Sequence, residues 1–321
     1  MIRVFVHENG VTRREARIDP AWLAPDSGRT VWVDLAEPSG EEGRVLTDVF
    51  HFHDLAVEAA LQREMHPKVE SYGDYLYLVL HGVNFQGEDH TLETHETDFF
   101  LGSNYLVTVH DGKRRSIAHV SELCEQTSHI LSEGPLGLLH RIVDTMVDHY
   151  RPEADEIESR LDQIEKAVIE ADNERLMADI LGAKRDISML RRIVVPQRDA
   201  VGRLARREFN IINQEMAYRF RDVYDQFARI AEDAIVFQDR VTGILDAHLA
   251  SVSNRLADVS RLLAVIATLF GPLTVITGLF GMNVPLPSLG LPGTGPFWEV
   301  IVLMAVSCGL LYWWFRKSGW L

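Results

Sequence analysis

Polar and apolar positions along the 321-residue chain change regime twice. Over the first 130 residues, short apolar runs alternate between strand-like and helix-like patterns. "TVWVDL" (30–35), "YLYLVL" (75–80) and "YLVTVH" (105–110) predict strands, and "FFLGSNYLVTV" predicts a hairpin turning at Gly102, Ser103 and Asn104. "SGEEGRVLTDVF" opens on a helix-capping serine with acids in its first turn. The segment reads as an α/β domain.

After Gly134-Pro135 the period becomes helical. Leu136, Leu139, Val143, Met146, Val147 and Tyr150 recur at three- and four-residue steps, and Ile157, Leu161, Ile164 and Val168 continue the series beyond Pro152. A second helix is expected from about Asn173 to Arg206, kinked near Pro196. A third starts near Asn213, meets no Pro or Gly before Gly243, and runs on into a long apolar segment. A helix of that length needs partner helices, plausibly from other copies of the chain.

From Leu262 to Phe280 the polar side chains are Thr268, Thr274 and Thr277 alone. At about 1.5 Å per residue this stretch covers roughly 30 Å, enough to cross a bilayer core. A second such run, Phe297 to Phe315, is interrupted by Glu299. Arg255 and Arg261 precede the first span, Arg316 and Lys317 follow the second, and the loop 284–296 holds neither Lys nor Arg. The positive-inside bias then places both termini in the cytoplasm and the loop outside. Trp313, Trp314 and Trp320 suit the inner interface. The expected organisation is an α/β domain (1–130), a helical stalk region (131–257) and a membrane domain (258–321).

Charge and cysteine content narrow the function classes. A net charge of -15 argues against nucleic acid, whose phosphates need a basic face. "MIRVFVHENG" has no secretory-leader pattern. Cys124 and Cys308 fall in unlike regions and read as reduced thiols. No nucleophile–base arrangement and no Cys/His zinc spacing stands out. "GLPGTGP" (290–296) mimics a phosphate loop but has Pro296 in place of its lysine. "HFHD" (51–54) reads as packing rather than metal ligation. Glu153, Asp155, Glu156, Glu158 and Asp162 read as a solvated helix face, or as a concentrator of cations near an inner exit.

One stripe stands apart. In alternating steps of four and three, Ser253, Ala257, Ser260, Ala264, Ala267, Gly271, Thr274, Gly278 and Gly281 are all small, while their neighbours are mostly Leu, Val, Ile and Phe. The 3.5-residue period keeps them on one side of a left-handed supercoil. Such a stripe serves either close helix packing or the lining of a shared axis. Asn283, just past it, offers an amide oxygen suited to a hydrated divalent cation, because magnesium sheds water reluctantly. A helix C-cap is the other reading of that asparagine. A site that conducts must also release the ion, which favours neutral oxygens over bare carboxylates.

Here the chain resembles the CorA family of divalent-cation channels. The "GMN" at 281–283 matches that family's signature, after the first of two C-terminal spans. "FRDVYDQ" (220–226), "LASVSNRLADV" (249–259) and "IATLFGPLT" (266–274) resemble its stalk and pore helix. "HDLAVEAAL" (53–61), "HPKVESYGDYLYLVL" (66–80) and the terminal "FRKSGWL" resemble its other segments. The resemblance implies a funnel-shaped homopentamer in the cell's inner (plasma) membrane, with one pore helix per subunit and a cytoplasmic α/β domain. It implies passage of Mg²⁺, with Co²⁺ or Ni²⁺ as further cargo, down the electrochemical gradient, with no reaction catalysed and no cofactor.

By the same likeness Gly281, Met282 and Asn283 form the selectivity entrance. Ala257, Ser260, Ala264, Ala267, Gly271, Thr274 and Gly278 line the pore, Thr274 as an inner polar ring, and the gate lies at Ser260 and Leu263. Asp222 and Glu58 are the expected regulatory ligands for cytoplasmic Mg²⁺, between neighbouring subunits. The departures are Ser260 and Gly271 where bulkier apolar residues are common, Phe280 for the usual Tyr, an outer loop without the acidic motif, and Ala59 for an Asp. These imply a weaker outer attraction for cations and weaker closure by internal Mg²⁺. The alternatives are a ZntB-like zinc transporter, possibly proton-coupled, and a membrane scaffold that does not conduct.

Overall fold

The computed structural model describes residues 1–62, 66–86, 91–112, 115–170, 175–282 and 296–320. In chain order, strands β1 (Ile2–Glu8), β2 (Val11–Glu15) and β3 (Thr30–Ala36) lead into helices α1 (Gly40–Asp48) and α2 (Asp54–Gln62). Strands β4 (Lys68–Ser71), β5 (Leu76–Gln86), β6 (Thr91–Leu101) and β7 (Tyr105–His110) follow. Helices then take over: α3 (Arg115–Gln126), α4 (His129–Ser132), α5 (Gly134–Asp148), α6 (Tyr150–Glu170), α7 (Leu176–Ala205), α8 (Gln214–Phe280) and α9 (Pro296–Lys317). The chain divides into two compact units, Met1–Leu245 and Asp246–Leu321.

The first unit is built on one seven-stranded sheet in the order β2-β1-β3-β7-β6-β5-β4. The β3–β7 pair is parallel and the other pairs are antiparallel. Period-two alternation buries both faces of these strands. Phe5, Trp32, Leu76, Leu78, Leu80, Phe99 and Leu106 enter one core with α3 to α7 and the first part of α8. The residues between them, such as Val4, Val31, Val33, Tyr77, Val79, Phe100 and Val107, enter a second core beneath α1 and α2. The sheet therefore separates α2 from the helical layer that includes α8.

Local chemistry sets several boundaries. Ser39 caps α1 in a reciprocal capping box with Glu42, as its spacing predicts. The β6–β7 hairpin turns at Gly102–Asn104, closed by Gly102 N–H donating to the Tyr105 carbonyl at 2.9 Å. Asn104 is buried in that turn and donates to the carbonyls of Trp22 and Ala24 at 2.9 and 3.1 Å. Helix α7 continues through Pro196, whose missing N–H leaves the Arg192 carbonyl without its helical donor.

Two buried polar networks brace this unit. Asp34 accepts from Arg3 (3.0 and 2.6 Å), from the Thr108 hydroxyl (2.6 Å) and from His110 Nε2 (3.0 Å). Gly112 N–H donates to His110 Nδ1, which leaves that ring its proton on Nε2. Burial pushes the Asp34 pKa up, but His110, Thr108 and Arg3 outweigh it and the carboxyl stays below its ordinary value. In the second network, Gln197 of α7 brackets His81 of β5, accepting from its N–H (2.6 Å) and donating to its carbonyl (3.1 Å). The Tyr150 hydroxyl also donates to that carbonyl (2.6 Å), and its ring meets Phe227 of α8 edge-on.

Candidate ion pathway

Helix α8 runs unbroken for 67 residues, about 100 Å at 1.5 Å per residue. It passes from the first unit into the second and stops at Phe280, where the expected span stops. With α9 it is long and apolar enough to cross a membrane. A soluble core helix would bury such residues, yet Leu263 (60%), Phe270 (63%) and Trp313 (60%) are widely exposed. That exposure belongs in lipid or against other chains.

The membrane part of α8 has two unlike faces. Val265 is buried and Leu269, Pro272, Leu273 and Ile276 are half-buried, a spacing that puts them on one side of the helix. At about 100° per residue, the small stripe from Ser253 to Gly281 falls roughly opposite. Every stripe residue is exposed, and Leu263 lies on the same side. The hydroxyls of Thr268, Thr274 and Thr277 donate to the carbonyls of Ala264, Phe270 and Leu273 (2.8–2.9 Å). Each hydroxyl thereby spends its proton on the helix and keeps its lone pairs free to accept.

The glycines of this segment differ in what demands them. A Cβ at Gly271 or Gly278 would meet nothing within 4 Å, so the chain's own packing does not require glycine there. A Cβ at Gly281 would lie 2.9 Å from the Thr277 carbonyl oxygen, the atom that accepts from Gly281 N–H. Gly281 is therefore set by the turn that ends α8. Met282 is exposed just beyond it. Asn283 and "GLPGTGP" up to Gly295 lie outside the described residues.

Glu58 and Asp222 are both exposed, and each carboxylate accepts from a glutamine one helical turn on, Gln62 (2.9 Å) and Gln226 (3.2 Å). They lie on opposite sides of the sheet, Glu58 on α2 and Asp222 on α8, so one chain does not bring them together. Among the described residues, no group of three or more His, Cys, Asp or Glu side chains is arranged to hold a metal ion.

The family profile described as "CorA-like Mg2+ transporter protein" matches residues 27–317. The chain belongs to the CorA family. It is 33% identical over 290 residues to the putative metal ion transporter YfjQ of Bacillus subtilis (strain 168), covering 90% of this chain and 89% of that one. It is 30% identical over 305 residues to the cobalt/magnesium transport protein CorA of Thermotoga maritima, covering 92% and 85%. Its fold matches the complete structure of the CorA magnesium transporter from Methanocaldococcus jannaschii with a TM-score of 0.83, at 21% identity and 100% and 99% coverage. As a CorA-family protein it is a divalent-metal-ion transporter with two C-terminal membrane-spanning helices, and it is not an enzyme.

Of the acidic face expected on α6, Glu153 falls differently in this CorA chain, and Asp162 is exposed as expected. Glu153 is buried and sits 3.7 Å from Arg115, because its helical phase puts it beside Ala154 and Ile157 rather than on the solvated face. Asp162 pairs with Arg240. The "HFHD" segment packs as expected: Phe52 stacks on Phe100 at 4.2 Å, and His53 accepts from Leu55 N–H at the start of α2. Sequence reasoning missed Asp144 of α5. Burial raises its pKa, His140 and Arg141 oppose the rise, and the charges of Asp148 and Asp222 add to it. The i, i+4 spacing of Asp144 and Asp148 is visible in the sequence, but their approach to Asp222 is not.

Proposed function

We propose that the chain forms a homopentamer in the cell's inner membrane, with both termini cytoplasmic, and conducts Mg²⁺ inward, with Co²⁺ and Ni²⁺ as secondary cargo. An inward-negative potential contributes about 2.3 kcal/mol per charge per 100 mV, hence about twice that for a divalent ion. Five copies of α8 turn Ala257, Ser260, Ala264, Ala267, Gly271, Thr274 and Gly278 toward a common axis. Gly281, Met282 and Asn283 form the entrance, where Asn283 grips the ion's water and Thr274 repeats that contact deeper in. Leu263, next to Ser260, closes the pore by dewetting. Glu58 of one subunit and Asp222 of its neighbour bind regulatory Mg²⁺. In this arrangement residues 1–130 form the cytoplasmic α/β domain, 131–257 the stalk region and 258–321 the membrane domain.

The observation that carries this reading is the pair Gly271 and Gly278. Their smallness has no cause inside the chain, and it lies opposite the covered face of α8. The test is flux of Mg²⁺, Co²⁺, Ni²⁺ and Zn²⁺ into proteoliposomes, with and without a pH gradient, for the native protein and Asn283→Ala. Mg²⁺ flux lost in Asn283→Ala supports the proposal. Zn²⁺ flux that needs a pH gradient would replace it with zinc transport, and absence of any flux would leave a scaffold.

A further inference from the structure

A cavity of about 510 Å³ opens in the N-terminal unit between α7, the strands β5 and β6, and Asp111 just past β7. Its rim is cationic. Arg185, Ser188 and Arg192 stand at i, i+3 and i+7 on one face of α7, all exposed. Among the described residues Arg192 makes no ion pair, and Arg185 approaches only Asp186, at a loose 3.7 Å. Two uncommitted guanidiniums are donors suited to a phosphate, while the Ser188 hydroxyl between them donates to the Lys184 carbonyl at 2.7 Å. Beside them Met189 and Ile193 form an apolar wall.

The opposite side is acidic and buried. His81 and Glu96 are cross-strand partners whose imidazole and carboxylate lie 3.6 Å apart, both nearly inaccessible, and Asp111 lines the cavity beside them. A carboxylate offers two oxygens and accepts several hydrogen bonds at once. Carboxylates can accept from an exocyclic base amine, as they do from the cytosine amine. The volume lies in the range of small-molecule sites.

We propose that this cavity binds a nucleoside phosphate whose base carries an exocyclic amine. The phosphate meets Arg185 and Arg192, the ring lies on Met189 and Ile193, and the amine donates to Glu96 and Asp111. Titration calorimetry on the full-length protein in detergent, with a chelator present, tests this using AMP, CMP, UMP and inorganic phosphate. AMP and CMP should bind saturably, and UMP and phosphate at least about tenfold more weakly. The exposed double variant Arg185→Ala/Arg192→Ala should weaken AMP by at least about tenfold, and Ser188→Trp should block it. Absence of saturable AMP binding, equal binding of UMP or phosphate, or full affinity in both variants would overturn the site. Binding is read without ion flux, so its failure leaves the transport proposal standing.

Discussion

Asp144 on α5 sits in the electrostatic field of Asp222 on α8, with Asp148 adding to the same negative surface. A carboxyl whose native pKa is raised binds more protons folded than unfolded, so its ionisation lowers stability as pH rises through the native value. Asp144→Asn should therefore raise the thermal midpoint at pH 7 in chelator, and the gain should vanish near the ordinary carboxylate pKa. Millimolar Mg²⁺ should shrink the gain if the ion screens this surface. Thermal unfolding between pH 4 and 7, with and without Mg²⁺, checks both.

Asp34 has the opposite sign. Its depressed pKa contributes stability that is present above the ordinary value and lost as pH falls through the native one. Asp34→Asn leaves Arg3 without its buried partner and should cost about 3–5 kcal/mol, flattening the acid limb of the stability profile. Denaturant midpoints measured from pH 3 to 7 would show it.

The glycine contrast gives a sharper test of the pore. Gly271→Ala and Gly278→Ala meet no atom in the chain and gain up to about 1 kcal/mol of helix propensity each. Both should leave the protein as stable or more so while reducing ion flux, since the added methyl groups narrow the axis. Gly281→Ala should instead destabilise the end of α8 through its contact with the Thr277 carbonyl. Unimpaired flux in both alanine variants would move the stripe off the axis.

The proposed regulatory site predicts weaker closure by internal Mg²⁺ than a carboxylate at position 59 would give, because Ala59 offers no oxygen donor beside Glu58. Asp222→Ala should make flux nearly independent of internal Mg²⁺. Strong inhibition of the native protein at low millimolar internal Mg²⁺ contradicts the weak-closure reading.

The bracket around His81 predicts unequal costs. Tyr150→Phe leaves the His81 carbonyl its bond from Gln197, so the loss should be about 1 kcal/mol. Gln197→Ala strands the His81 N–H in a buried site and should cost more, up to about 3 kcal/mol. Unfolding midpoints of the two variants provide the comparison.

The sequence by itself determined the features that local chemistry dictates. The Ser39 cap, the hairpin at Gly102–Asn104, the helical period after Gly134 and the two apolar spans depend on residues within a turn or two of one another. The helical course of α8 as far as Gly243 followed likewise from the lack of breakers, and beyond it the helix holds through Pro272 despite that residue's missing N–H. Only the tertiary structure decided the strand order, the parallel β3–β7 pairing, the inward turn of Glu153 and the approach of Asp144 to Asp222. It also decided that the sheet keeps Glu58 and Asp222 apart. These relationships join segments tens of residues apart, and a pattern of polar and apolar positions records that a face is buried without recording what buries it.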